Sequence, residues 1–223
     1  MHRGERSWTL ETGNRQMATA VKICGITRVE DAAAAARAGA SYVGLVFYAP
    51  SPRCVTRAQA REIVGALPPS VVPVAVFVDP GEEEVRATLA EVPVPVLQFS
   101  GSESPGFCRR FGRPYIKAVH MKAGVDLLQY ARDYHDAKAL LLDASVEGLH
   151  GGSGVSFDWN LIPRAVPLPV ILSGGLTVAN VRDAVRRARP EAVDVSSGVE
   201  SAKGVKDAAK IAAFITGVRD ADG

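Results

Sequence analysis

Long apolar runs are missing from this chain of 223 residues. A membrane-crossing helix needs roughly 18 consecutive apolar residues and nothing here approaches that, so no membrane partner is expected. Charge of one sign is scarce as well. Lysine and arginine number 26 against 24 acidic residues, a net charge of +2, too mild a balance for a nucleic-acid-binding face. The three cysteines, Cys24, Cys54 and Cys108, are odd in number and lack the close paired spacing of a zinc site, so no metal is expected. Reduced thiols in a cytoplasmic protein are the simplest reading. The polar stretch up to Gln16 carries Arg3, Arg6 and Arg15 but no apolar core, which excludes a secretory signal. Residues 1–17 are expected to form a disordered extension, with Met17 an alternative start.

What the chain does have is a repeat of short apolar runs. Hydrophobic residues make up 47% and charged residues 22%, the composition of a globular chain long enough for one sizeable core. Val/Ile/Leu-rich runs predict strands at 19–24, 42–47, 72–78, 94–98, 115–119, 139–142, 169–172 and 192–195. Near-continuous runs such as Val74-Ala75-Val76-Phe77-Val78 suit parallel strands covered on both faces. Between them, 29–37, 56–66, 81–91, 104–111, 125–134, 178–189 and 205–215 read as helices, with a short one around 158–162 and Thr56 as an N-cap. Eight βα units in a little over 200 residues predict a single α/β domain, a (β/α)8 TIM barrel over residues 18–218 with a flexible tail at 219–223. The competing open, doubly wound sheet would carry a Gly-x-Gly-x-x-Gly turn after its first strand, and that turn is absent.

A barrel gathers its strand ends around one mouth. Cys24 ends strand one, Arg53 follows strand two, Asp143 ends strand six and Asp194 lies in strand eight. Asp143 emerges from Leu140-Leu141-Leu142; an acidic group leaving a buried strand is a candidate general acid, since burial raises its pKa. Cys24 is a candidate for chemistry or a small core residue. A catalytic thiol needs help to ionise. The nearest basic residue is Lys22, and whether it shares the thiol's face of the strand stays open. Arg53, in Ser51-Pro52-Arg53, can grip a carboxylate with two hydrogen bonds or remain merely solvated. Ser173-Gly174-Gly175-Leu176 and Ser196-Ser197-Gly198-Val199 follow strands seven and eight, where this fold commonly cradles phosphate on backbone N–H groups. Gly174, Gly175, Ser197 and Gly198 are therefore candidate phosphate residues. Gly151-Gly152-Ser153-Gly154 reads either as a loop over the mouth, with Gly152 and Gly154 also on the phosphate, or as a plain connection. The partner implied is a phosphorylated small molecule, with monomer and homodimer both open.

These segments, in order, resemble one known family. Val21-Lys22-Ile23-Cys24-Gly25-Ile26-Thr27, Gly44-Leu45-Val46-Phe47-Tyr48 with Ser51-Pro52-Arg53, Leu141-Leu142-Asp143, Gly151-Gly152-Ser153-Gly154 with Phe157-Asp158-Trp159, Leu172-Ser173-Gly174-Gly175-Leu176 and Val193-Asp194-Val195-Ser196-Ser197-Gly198-Val199-Glu200 are similar to phosphoribosylanthranilate isomerase. The likeness runs from about Val21 to Ile215. It implies a TIM barrel of tryptophan biosynthesis that isomerises N-(5-phosphoribosyl)anthranilate by an Amadori rearrangement without a cofactor. By position it implies Asp143 as general acid, Cys24 as general base, Arg53 on the anthranilate carboxylate and Asp194 positioning the sugar or amine.

Two positions depart from the family pattern. Gln98-Phe99-Ser100-Gly101 stands where the family usually has Gln-Leu-His-Gly, and Cys54 follows the arginine where an aromatic is common. Activity is expected to survive Ser100, with weakened or altered binding, because the acid and base both remain; Cys54 is expected to change packing beside the anthranilate ring. Two rivals remain on sequence grounds. One is the histidine-pathway isomerase that performs the same rearrangement with two aspartates, against which Cys24 argues; the other is a non-catalytic sugar-phosphate-binding barrel, against which Cys24 and Asp143 together argue.

Overall fold

The computed structural model describes residues 18–122, 124–144, 158–163 and 165–223. Eight strands follow one another as β1 (Ala20–Cys24), β2 (Tyr42–Val46), β3 (Val72–Phe77), β4 (Val96–Phe99), β5 (Tyr115–Met121), β6 (Ala139–Ala144), β7 (Val170–Leu172) and β8 (Ala192–Val195). Each pairs with the next, and β8 pairs in parallel with β1, so the sheet closes on itself. The continuous apolar runs have a simple cause: both faces are covered. On β3, Val72, Val74 and Val76 pack with Val96, Ile116 and Leu141 inside the barrel, whereas Ala75 and Phe77 join the larger cluster beneath the helices.

The helical layer consists of α1 (Val29–Ala38), α2 (Arg57–Ala66), α3 (Glu82–Glu91), α4 (Pro105–Cys108), α5 (Leu127–Asp133), α6 (Val181–Ala188) and α7 (Ala208–Asp222). Thr56 caps α2 as its sequence suggests, in a reciprocal capping box with Gln59. The segment 104–111 is less regular than expected. It splits into α4 and a 3-10 turn at Arg109–Phe111, stopped by Gly112 in the left-handed region. Only a 3-10 turn, Trp159–Leu161, forms at 158–162. Among the described residues no helix is long and apolar enough to cross a membrane.

The C-terminal region corrects two expectations. Val205 and Lys206 do not begin a helix; they form β10 (Val205–Lys206), which pairs antiparallel with β9 (Glu200–Ala202). Helix α7 starts after Asp207, whose carboxylate accepts from the N–H groups of Ala209 and Lys210. Residues 219–222 continue that helix rather than forming a tail. Asp222 accepts from the backbone N–H and the hydroxyl of Thr19, both at 2.7 Å, and so ties the end of α7 to the start of β1. The extension expected at 1–17 lies outside the described residues.

One buried ion pair belongs to the outer layer. Lys117 Nζ meets Glu103 Oε2 at 2.9 Å and also donates to the carbonyls of Phe99 and Gly101. Glu103 in turn accepts from the N–H groups of Asp79 and Gly101. Every charge there has a partner, so the pair acts as a rivet for the β4–α4 loop.

Candidate active site

Strand alternation decides which side chains reach the barrel mouth. Positions two apart share a face, so Lys22 and Cys24 both point inside, as do Leu141 and Asp143 on β6 and Ala192 and Asp194 on β8. A cavity of about 100 Å³ at the C-terminal ends of the strands is lined by Cys24, Arg53, Gln98, His120, Asp143 and Asp194, among others. A larger hollow of about 850 Å³ opens at the other end, among Thr19, Arg186, Arg189 and Asp222. Size favours the second and chemistry the first. Only the smaller one gathers a thiol, an imidazole and two carboxyl groups.

The electrostatics of this mouth are coupled. Burial pushes the Asp143 carboxyl up to about 6 and the charge of Asp194 adds to that, while the Ala144 N–H and Lys22 pull the other way. Burial also pushes the Cys24 thiol up; Lys22 draws it down, Asp194 opposes Lys22, and Lys206 assists Lys22. Lys22 is 1% exposed. Desolvation works against its charge, yet Asp194 and then Cys24 outweigh that, and its pKa lies above the ordinary lysine value. The ammonium donates to Asp194 Oδ1 at 2.7 Å, and Ser173 Oγ donates to Asp194 Oδ2 at 3.1 Å. Both oxygens of Asp194 thus already have protein partners.

Arg53 is held rather than solvated. Its Nε and Nη2 donate to the two carboxylate oxygens of Glu200 at 2.7 and 2.8 Å, a bidentate pair. Glu200 also accepts from Lys206 Nζ at 2.9 Å, and Lys206 donates to the Ser196 carbonyl at 3.1 Å. Two nitrogens of the guanidinium are therefore committed within the protein, which the sequence reading did not anticipate. Cys54 is exposed.

The two glycine-bearing loops meet. Gly174, Gly175, Ser196 and Ser197 line one small hollow with Asp143, Ser173 and Asp194. Gly174 has φ +79°, and a Cβ there would stand 2.8 Å from Asp143 Oδ1, so only glycine lets this turn close against the acid. Gly198 sits in the 3-10 turn Ser197–Val199 that follows β8. Gly152 and Gly154 lie outside the described residues.

Against known proteins, residues 21–217 match the family model for N-(5'phosphoribosyl)anthranilate (PRA) isomerase. An N-(5'-phosphoribosyl)anthranilate isomerase from Nitrosospira multiformis is 57% identical over 202 residues, covering 91% of this chain and 97% of its own. The chain belongs to the N-(5'-phosphoribosyl)anthranilate isomerase family. Among solved structures, the phosphoribosyl anthranilate isomerase of Thermotoga maritima is 39% identical with a TM-score of 0.83, covering 91% of this chain and 99% of that one. A phosphoribosyl anthranilate isomerase structure in complex with reduced 1-(o-carboxyphenylamino)-1-deoxyribulose 5-phosphate is 38% identical with a TM-score of 0.79 over 91% and 99% of the two chains. The single-domain TIM barrel is the fold of this family.

Four residues of the isomerase site escaped the sequence reading. Lys22 was left between two faces, although its spacing of two from Cys24 settles the matter. Gln98 lies 4% exposed; its Nε2 donates to Ser100 Oγ, while its Oε1 has no hydrogen-bond partner among the described residues. His120, on β5, brings an imidazole into the cavity, with Nε2 3.0 Å from the Ser100 carbonyl oxygen. Alternation from Ala118 gave the signal for it. Glu200 gave none, because its pairing with Arg53 spans 147 residues.

Proposed function

We propose that this isomerase works by general acid/base catalysis without a cofactor, with Asp143 as the acid and Cys24 as the base. As a family member it isomerises N-(5'-phosphoribosyl)anthranilate to the 1-amino-1-deoxyribulose 5-phosphate, a step of tryptophan biosynthesis. Asp143 gives its proton to the furanose ring oxygen. The C1–O bond breaks, and the anthranilate nitrogen's lone pair forms the Schiff base. Its cationic nitrogen acidifies the proton on C2, which the Cys24 thiolate removes. The resulting enolamine tautomerises to the ketone, so no atom is gained or lost.

One observation carries the reading: a carboxyl raised to about 6 and a thiol beside a buried ammonium line a single cavity. An acid half-protonated near pH 6 can still donate close to neutrality. A deprotonatable thiol beside Lys22 supplies the complementary group. Arg53, fixed by Glu200, holds the anthranilate carboxylate. Asp194 orients the substrate through Lys22 and Ser173, as well as by any bond it adds to the sugar or amine. The substrate's phosphate lies on Gly174, Gly175, Ser197 and Gly198, with Gly152 and Gly154 assigned to the same phosphate from the sequence alone. The enzyme acts in the cytoplasm, where its thiols stay reduced. Loss of the fluorescent anthranilate substrate tests this account; wild-type protein that turns over none of it would overturn the proposal.

A further inference from the structure

Three buried lysines lie among the described residues, and one of them, Lys22, shares a strand face with the cysteine that lines the mouth. Lys117 is riveted to Glu103 outside the barrel, and Lys206 to Glu200 and Ser196. Lys22 differs. Asp194 takes one of its three N–H donors, and the ammonium's charge draws the pKa of the neighbouring Cys24 thiol down against the effect of burial. The two groups converge on one point: a Cβ added to Gly44 would stand 2.7 Å from Cys24 Sγ and 3.2 Å from Lys22 Nζ. Gly44, on the adjacent strand β2, therefore leaves the space in which ammonium and sulfur approach one another.

We propose that Lys22 is a positioning residue for the base: its ammonium holds the Cys24 thiolate in place while Asp194 keeps that ammonium fixed and charged. The inference rests on the reading of Cys24 as the base, and extends it to a Cys24–Lys22–Asp194 relay along the β1–β8 seam. Other charges face the thiol too. Arg53 and Lys206 approach from β2's loop and β10, both attracting a thiolate, whereas Asp143 and His120 line the same cavity from β6 and β5. Arg53 and Lys206 share the single carboxylate of Glu200, which holds both in place. Lys22 stands two residues from Cys24 on the same face of β1, and its nitrogen borders the same space over Gly44 as the sulfur. With Lys22 charged throughout, the thiol and the thiolate beside it differ by one proton and one charge, and that difference can be titrated.

The test is the pH dependence of iodoacetamide alkylation at Cys24, read on its own peptide by mass spectrometry so that Cys54 and Cys108 do not contribute. Lys22→Met should move the midpoint upward by about one pH unit or more, lowering the rate at pH 7 about tenfold. That variant leaves Asp194 unpaired, so Lys22→Met/Asp194→Asn is the second arm. Its midpoint should stay raised, because the ammonium beside the sulfur is still missing. A double variant that returns to the wild-type midpoint would overturn the proposal by reducing Lys22 to a neutraliser of Asp194. An unchanged midpoint in Lys22→Met would overturn it too. Alkylation reads the thiol whether or not Cys24 is the base; turnover by Cys24→Ser tests that assignment separately.

Discussion

Lys22 and Asp194, 172 residues apart, face each other in register across the β1–β8 seam and bond at 2.7 Å. The contact closes the barrel where its first strand meets its last, and it links the proposed acid to the proposed base through shared charge. Each partner is nearly inaccessible, with side chains 1% and 7% exposed. Removing one leaves a buried charge with no counter-ion. Asp194→Ala should therefore cost about 3–5 kcal/mol of stability, and Lys22→Met/Asp194→Ala should recover a large part of that loss. Urea unfolding of the two variants measures this; equal destabilisation would mean the pair is not coupled.

Asp143 carries a stability cost with a definite pH signature. Its native pKa of about 6 lies above the ordinary 3.8. Between those values the unfolded carboxyl has ionised while the native one still holds its proton, so the native state binds more protons and wild-type stability falls as pH rises. Below about pH 4 both states are neutral and the cost vanishes; above about pH 6 it is complete, at roughly 3 kcal/mol or less. Asp143→Asn should accordingly be more stable than wild type at pH 7 and close to it at pH 4, while losing most of its turnover. Denaturation at the two pH values checks the sign.

The Arg53–Glu200 fork predicts a binding defect. Arg53→Ala should raise KM about 10- to 100-fold, the worth of roughly 1.5–3 kcal/mol in charged hydrogen bonds, with a smaller change in kcat. Glu200→Gln should follow in the same direction but less far, because a neutral amide orients the guanidinium with weaker bonds. A change confined to melting temperature in both variants would assign the fork to structure alone.

Gln98 gives a contrasting case. Among the described residues its Oε1 is buried without a partner, a burden of about 1–3 kcal/mol unless a bound molecule donates to it. Gln98→Met should leave stability unchanged or raise it, and should weaken substrate binding. Steady-state kinetics beside thermal unfolding separates the two effects.

Much of this was legible in the chain. The eight strands come from apolar runs, and their regular alternation with helices points to the barrel, so Cys24, Asp143 and Asp194 fall at one mouth by counting alone. Thr56 and Gln59 announce the start of α2. The hairpin of β9 and β10 did not declare itself, because strands of three and two residues carry no period. The end of α7 was misjudged for a different reason. Ala221 and Asp222 look like a polar tail locally, but Ala221 packs against the core and Asp222 is bonded by Thr19, 203 residues away. Glu200 was invisible as the holder of Arg53 for the same reason.

The central claim is that Asp143 and Cys24 are the acid and base of an isomerase. The most direct measurement follows the fluorescence of N-(5'-phosphoribosyl)anthranilate with wild type, Cys24→Ser and Asp143→Asn. The account predicts turnover by the wild type and a fall in kcat of about 10²–10⁴-fold in each variant, with both variants folded. Folded variants that turn over substrate at the wild-type rate would contradict it.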